Sequence, residues 1–113
     1  MILCKCPLRV SLVGGSTDTK SFLQKYKRGS VISFTPNLFT YASIHENNEN
    51  KYIVNYSKKE ESVSISDIEN QLIKYCFQYF STPNCTITLN TDILSTGSGL
   101  ASSSSFIISV VKA

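Results

Sequence analysis

The stretch STGSGLASSSSF, residues 95–106, has the residue types and spacing of an anion cradle. It follows a β-prone run and feeds an apolar, helix-prone one. A helix start offers up to four backbone N–H groups with no internal partner, together with a partial positive charge. A lead-in of Gly97, Ser98 and Gly99 lets that backbone approach phosphate oxygens closely. Serine hydroxyls in the first turn can bond phosphate or Mg2+. The competing reading is a serine-rich spacer before a helix that has several candidate caps, and four consecutive serines alone suit that reading. Two common phosphate signatures do not fit. G-x-x-x-x-G-K-[ST] needs a lysine that is absent here. G-x-G-x-x-G needs glycine at position 102, which is Ser.

Upstream, GGSTD (residues 14–18) breaks a strand-like run, and Ser16, Thr17 and Asp18 each suit a helix N-cap. On residue type alone, Arg9 reads as an ordinary edge or surface residue of its strand, and Asp18 can simply cap the helix after it. The four cysteines, Cys4, Cys6, Cys76 and Cys85, form no C-x-x-C pair. With one histidine they make a poor zinc set, so free thiols, buried or half-buried, are expected. His45 precedes an asparagine-rich turn and is expected exposed and idle. The tyrosines at 41, 52, 56, 75 and 79 fit sheet and helix packing better than a base-stacking platform.

The bulk numbers narrow the classes. With 113 residues, 42% hydrophobic and 17% charged, the chain can fold as one small domain with a core. No apolar run is long enough to span a membrane. The start, MILCKCPLRV, lacks the long apolar region and cleavage site of a secretory signal, so a cytoplasmic location is expected. A net charge of +3 gives no argument for nucleic acid. Lys25, Lys27 and Arg28 read as a solvated helix end, and Lys58 and Lys59 as a solvated turn.

The elements that must hold these residues follow from pattern. Residues 2–13 alternate around Leu8, Val10 and Leu12 as one strand, with Pro7 as a bulge or edge feature. A short helix follows, with Phe22, Leu23 and Tyr26 on its apolar face and Gly29 past its end. SVISFT, LFTYASIH and YIVNYS read as an antiparallel meander, with turns at Pro36-Asn37 and HENNENK. KKEES reads as another turn. SDIENQLIKYCFQYF reads as an amphipathic helix with Ile68, Leu72, Cys76 and Phe80 inward, capped by Ser66 or Asp67. CTITLNTDIL is a strand. SFIISVVKA opens a last helix with Phe106, Ile107, Val110 and Val111 inward. The class is α+β, with an antiparallel or mixed sheet and helices. The chain stops about three turns into an apolar helix without a C-cap, which suggests a piece of something longer.

STGSGLASSSSF resembles the second motif of the GHMP small-molecule kinases, roughly P-x-G-x-G-L-G-S-S-[AS]. PLRVSLVGGSTDTKSF, residues 7–22, resembles the family's first motif, a strand ending in a substrate-contacting turn. The two lie about 80 residues apart in the family's order, so the resemblance covers nearly the whole chain. The branch most similar is the sugar-phosphate one, the D-glycero-D-manno-heptose 7-phosphate kinases.

The resemblance implies an N-terminal GHMP-kinase domain, akin to domain 2 of ribosomal protein S5, with a left-handed β-α-β crossover. It implies ATP and Mg2+ as cofactors, a sugar phosphate as acceptor, and neither nucleic acid nor membrane as partner. Gly97, Ser98, Gly99, Leu100, Ala101, Ser102 and Ser103 would form the nucleotide phosphate loop, with the Ser103 hydroxyl facing Mg2+. Arg9 would sit near the transferring phosphoryl group as the catalytic arginine. Gly15, Ser16 and Asp18 would contact the acceptor's hydroxyls.

The chain also departs from the pattern. Position 95 is Ser where the family usually has Pro. Position 101 is Ala where it usually has Gly or Ser, and if that position requires φ > 0 the methyl costs about 1 kcal/mol and weakens nucleotide binding. Members are near three times this length, and their third glycine-rich motif, frequent catalytic aspartate and C-terminal domain lie beyond residue 113. Residues 1–113 are therefore expected to be the N-terminal part of such a kinase and inactive alone. The rival readings are a non-catalytic relic or nucleotide-binding module, and, within the family, a galactose, fucose or mevalonate-type kinase.

Overall fold

The apolar alternation of the strands and the capped helical runs assemble into a five-stranded mixed sheet with helices packed on it and a separate two-stranded arm. The computed structural model describes residues 1–93 and 102–113, and of Ser102 the backbone only. In chain order the elements are β1 (Ile2–Pro7), β2 (Val10–Val13), α1 (Lys20–Tyr26), β3 (Ile32–Phe34), β4 (Phe39–Glu46), β5 (Tyr52–Asn55) and β6 (Lys59–Ser62). A 3₁₀ turn (Ile65–Asp67), α2 (Gln71–Phe80), β7 (Cys85–Thr91) and α3 (Ser102–Lys112) complete them. The α+β class with a mixed sheet is as expected.

The large sheet has the order β1-β4-β7-β5-β6. All neighbours are antiparallel except β5 and β7, which run parallel. A parallel pair needs a crossover, and α2 lies within it. One face of the sheet is apolar. Ile44 pairs with Ile87, and Ile87 with Val54, so three strands contribute one row to the core. Ile68, Ile73, Phe77 and Val110 close over that face.

Several expected details are corrected. The meander does not form: β3 pairs with β2, and β7 lies between β4 and β5. The loop of residues 47–51 steps across β7, a span of about 10 Å that five residues can cover. Asn47 holds it there, its Nδ2 donating to Lys51 O (3.1 Å) and to Thr86 Oγ1 on β7 (3.1 Å). KKEES is not a turn, because Lys59–Ser62 is β6. Residues 2–13 are two strands rather than one. The chain leaves the large sheet after Pro7, and Leu8 is fully buried at the break while its N–H donates to Leu38 O (2.9 Å).

The helices shift too. Asn70 caps α2, its Oδ1 accepting from Ile73 N (3.2 Å), and Ser66 and Asp67 belong to the 3₁₀ turn. The buried face of α2 is Ile73 and Phe77, with Leu72 and Cys76 half-buried, whereas Phe80, Tyr75 and Tyr79 are exposed. The left-handed residue ending α1 is Lys27 (φ 61°), not Gly29. In α3, Ile107 and Val111 face outward, and Ser105, Ser109 and Val110 are the buried residues. A small-residue face lets α3 sit close against β4 and β1. Its hydroxyls stay satisfied, since Ser109 donates back to Phe106 O (2.9 Å).

Candidate functional site

Arg9 and the start of α3 come from opposite ends of the chain, and the sheet brings them together. β1 ends at Pro7 beside β4, and α3 begins over the same two strands. Arg9 and Ser104 meet at a cleft of about 230 Å³, lined also by Cys6, Pro7, Ser105 and Ile108. Arg9 and Ser104 are both exposed, so a guanidinium and a first-turn hydroxyl face solvent at one opening, and Ser103, next to Ser104 in the chain, is exposed too. A guanidinium offers five N–H donors, and this arrangement suits a multiply charged anion.

A polar seam lies beneath that cleft. Cys6, Thr40 and Thr91 share one row across β1, β4 and β7, where apolar residues would continue the core. Thr40 is fully buried and Ser105 nearly so. Thr40 Oγ1 lies 3.0 Å from Ser105 Oγ, and Ser105 Oγ lies 2.9 Å from Pro7 O and 3.2 Å from Cys6 O. Burial without partners would be costly for both hydroxyls, and each has one.

The chain entering residues 94–101 is held as firmly as the chain leaving them. Asp92 follows β7, and its Oδ2 accepts from Phe39 N (2.8 Å) and from the Tyr41 hydroxyl (3.2 Å). The Asp92 N–H donates to Phe39 O (3.0 Å). Desolvation, with the Asp92 carboxylate beside it, pushes the Tyr41 phenol above its ordinary value, so it remains a donor. Both ends of the glycine-serine segment are thus fastened to β4.

Gly97, Ser98, Gly99, Leu100 and Ala101 lie outside the described residues, and Ser102 is described by its helical backbone alone. Ser103 stands exposed in the first turn of α3. Gly15, Ser16 and Asp18 are exposed in the turn after β2. Asp18 borders a different, shallower cleft of about 190 Å³, with Thr17, Leu23, Gly29, Ser30 and Val31. The cleft at Arg9 and this second one share no lining residue.

The turn itself is clasped. Thr17 Oγ1 lies 2.9 Å from Gly14 O and 3.0 Å from Ser30 O. Gly14 has φ +81°, and a Cβ there would stand 2.0 Å from Ser30 O. A Cβ on Gly29 would stand 2.2 Å from Thr17 O. Glycine is therefore obligatory at 14 and 29, while Gly15 has ordinary room for a Cβ.

Thr17, Thr40, Asp92 and Ser105 escaped the sequence reading as site-building residues. Thr17 and Ser105 sat inside quoted motifs, but their partners are 13 and 98 residues away, and spacing cannot show that. The remaining cavities carry less chemistry. One of about 300 Å³ between the C-terminal halves of α2 and α3 is lined mostly by apolar side chains, including Ile44, Phe77, Phe80 and Val110. Burial pushes the Cys85 thiol up to about 11 and raises Cys76, which keeps both as unreactive thiols.

No protein-family model matches the chain, and no curated protein does. Solved structures do. A D-glycero-D-manno-heptose 1-phosphate kinase from Bacteriodes thetaiotaomicron superposes with a TM-score of 0.80 and 26% identity, covering 99% of this chain and 40% of its own. A mevalonate kinase from Methanococcus jannaschii gives 0.69 at 22% identity, over 98% of this chain and 38% of its own. A putative sugar kinase from Campylobacter jejuni gives 0.69 at 24%, over 98% and 37%. This chain thus spans about 40% of the length of the heptose kinase. These neighbours are GHMP-family kinases, and the fold of this chain is that of their N-terminal domain.

Proposed function

We propose that this chain carries the nucleotide loop and acceptor turn of an ATP-dependent kinase acting on a sugar or sugar phosphate, with a phosphorylated heptose such as heptose 7-phosphate as the preferred acceptor. The observation that carries the reading is the meeting of Arg9 with the first turn of α3 at one cleft. It occurs in a fold that superposes along 99% of the chain on a heptose 1-phosphate kinase. On this reading residues 1–113 are the N-terminal part of the kinase and turn over no acceptor alone, since they match about 40% of that solved chain.

The described residues fit the cofactors. ATP, when bound, supplies the phosphoryl group, and its Mg2+ takes most of its ligands from phosphate and water, so one protein hydroxyl at Ser103 suffices. The Arg9 guanidinium lines the cleft, where it neutralises charge spread over phosphate oxygens. The start of α3 adds its partial positive charge to the same opening. Gly97 to Ser102 form the rest of the cradle. At the second cleft, Asp18 accepts from acceptor hydroxyls; in the same exposed turn Ser16 both accepts and donates, while Gly15 leaves the backbone open to the sugar. Catalysis is then positioning and charge neutralisation.

The test is phosphoryl transfer by the full-length protein to a panel of heptose 7-phosphate, galactose, fucose and mevalonate. Arg9→Ala should lower kcat by about 10²- to 10³-fold with the fold intact. Transfer to mevalonate alone would reassign the acceptor. Absence of Mg·ATP binding in calorimetry would end the kinase reading in favour of a non-catalytic module.

A further inference from the structure

We infer that Ser105 is a positioning residue, one that sets Arg9 and the start of α3 in a fixed relation so that both act on the same triphosphate. The inference rests on the kinase reading above and adds a residue to it. Ser105 is 4% exposed and lines the cleft from within, whereas Arg9 and Ser104 are exposed at it.

Two protons are available to its cluster, one on Ser105 and one on Thr40. The short distances allot them. Thr40 Oγ1 donates to Ser105 Oγ (3.0 Å), and Ser105 Oγ donates to Pro7 O (2.9 Å). Cys6 O, at 3.2 Å from Ser105 and 3.3 Å from Thr40, is the longer alternative for either. The relay therefore runs from β4 through α3 to the last residue of β1. Pro7 is two residues before Arg9, and Leu8 between them is pinned by its N–H to Leu38 O (2.9 Å). The backbone leading to Arg9 is thus held on both sides, to α3 through Pro7 and to the lead-in of β4 through Leu8. Ser105 is also three residues past Ser102, so it fastens the turn into which the glycine-serine segment runs.

Removal of the Ser105 hydroxyl leaves the Pro7 carbonyl and the Thr40 hydroxyl to find new partners in a buried place. Arg9 and α3 then lose their common reference. On the kinase reading the consequence is greatest at the outer phosphate, where Arg9 is proposed to act.

The experiment compares the full-length protein with Ser105→Ala, Arg9→Ala and the double variant, each titrated by calorimetry with the Mg2+ complexes of ADP and of a non-hydrolysable β,γ-imido ATP. Each single variant should weaken the imido analogue by about tenfold while moving ADP by less than about threefold. The double variant should be no weaker than the weaker single, since an unaligned Arg9 has little left to lose. Equal losses for both nucleotides, or losses that multiply in the double variant, would show Ser105 to be ordinary packing. If Ser105→Ala does not fold, Thr40→Val opens the relay from the strand side and Thr40→Ser should restore it; absence of a difference between those two overturns the inference. Should the unmodified protein bind neither nucleotide, the kinase reading falls and this role with it. If the protein binds both and the effects multiply, only the role of Ser105 falls.

Discussion

The large sheet and the arm formed by β2, α1 and β3 are built on opposite principles. In the sheet and the α2 helix on it, Ala42, Val54, Ile73, Phe77 and Ile87 are buried to 2% exposure or less. In the arm, α1 buries no residue, and Leu12, Val13 and Ile32 are each about two-thirds exposed. β2 and β3 pair only with each other. The longest dimension is 53 Å and the radius of gyration 16.6 Å, against about 13 Å for a compact domain of this size. The arm is what extends the molecule. The difference bears on chemistry, because Arg9 stands where the arm leaves the sheet and the proposed acceptor turn follows β2 within the arm. The nucleotide side of the proposed site is fixed by a core, and the acceptor side by a few hydrogen bonds and two glycines.

The largest effect that would break this contrast is in stability. Ile87→Ala removes a fully buried side chain from the row it shares with Ile44 and Val54. It should cost about 2–5 kcal/mol in urea denaturation. Phe34→Ala on the arm removes a larger side chain that is 49% exposed, and should cost less than about 1 kcal/mol. Comparable losses would mean that the arm has a core of its own.

The same contrast marks what was legible in the sequence. Where burial alternates cleanly, as in β4 and β7, strand identity could be read directly. The order of strands could not, because a five-residue loop fits a hairpin and a step across one intervening strand equally well. The arm was harder still. Its apolar residues suggested burial that this chain does not provide, and one long strand was read where Leu8 turns the backbone out of the sheet. In α3 Val110 is inward as expected, whereas Ile107 and Val111 point outward. The small serines face the sheet because close approach and buried hydroxyl partners outweigh the burial of Ile107 and Val111. The two motifs were visible as motifs, yet the side chains that fasten them, Ser105, Thr40, Asp92 and Thr17, act through partners distant in sequence.

A middle-sized effect sharpens the comparison at the proposed acceptor turn. In Gly29→Ala the new methyl meets the Thr17 carbonyl oxygen at 2.2 Å, and a backbone atom cannot swing aside as a flexible side chain would. The turn must open, and Thr17 loses its bond to Ser30 O. A cost of about 1–3 kcal/mol is expected, confined to the arm. Hydrogen exchange checks this: the Thr17 amide, which donates to Gly14 O at 3.0 Å, should exchange faster while the amides of β4 and β7 keep their protection. Acceptor affinity should fall and nucleotide affinity hold. Uniform acceleration across the sheet would show that arm and sheet unfold as one unit.

The smallest effect concerns charge, which also divides the two regions. Every ion pair found among the described residues lies between Glu49 and Glu69, at the β5–β6 edge of the sheet. Glu61 is the centre of one cluster, with Lys51 Nζ and Lys59 Nζ each 2.5 Å from its carboxylate. Hydrogen bonds from Lys51, then from Lys59, hold the Glu61 carboxyl down to about 2 from an ordinary 4.5. Lys51 is raised to about 12 by the same bond, with Glu49 as its second partner. A carboxyl whose value is lower in the folded chain than in the unfolded one stabilises the fold above pH 4.5, and that contribution disappears as the pH falls from 4.5 toward 2. Glu61→Gln should therefore lose that contribution at neutral pH, flatten the stability profile between pH 4.5 and 2, and meet the parent below that window. The group is open to solvent, so salt at about 1 M, where screening acts within about 3 Å, should erase most of the difference between the variant and the parent. A difference that survives such salt would mean that the β5–β6 edge is drier than the exposure of Glu61 indicates, and that the sheet protects its charges as well as its core.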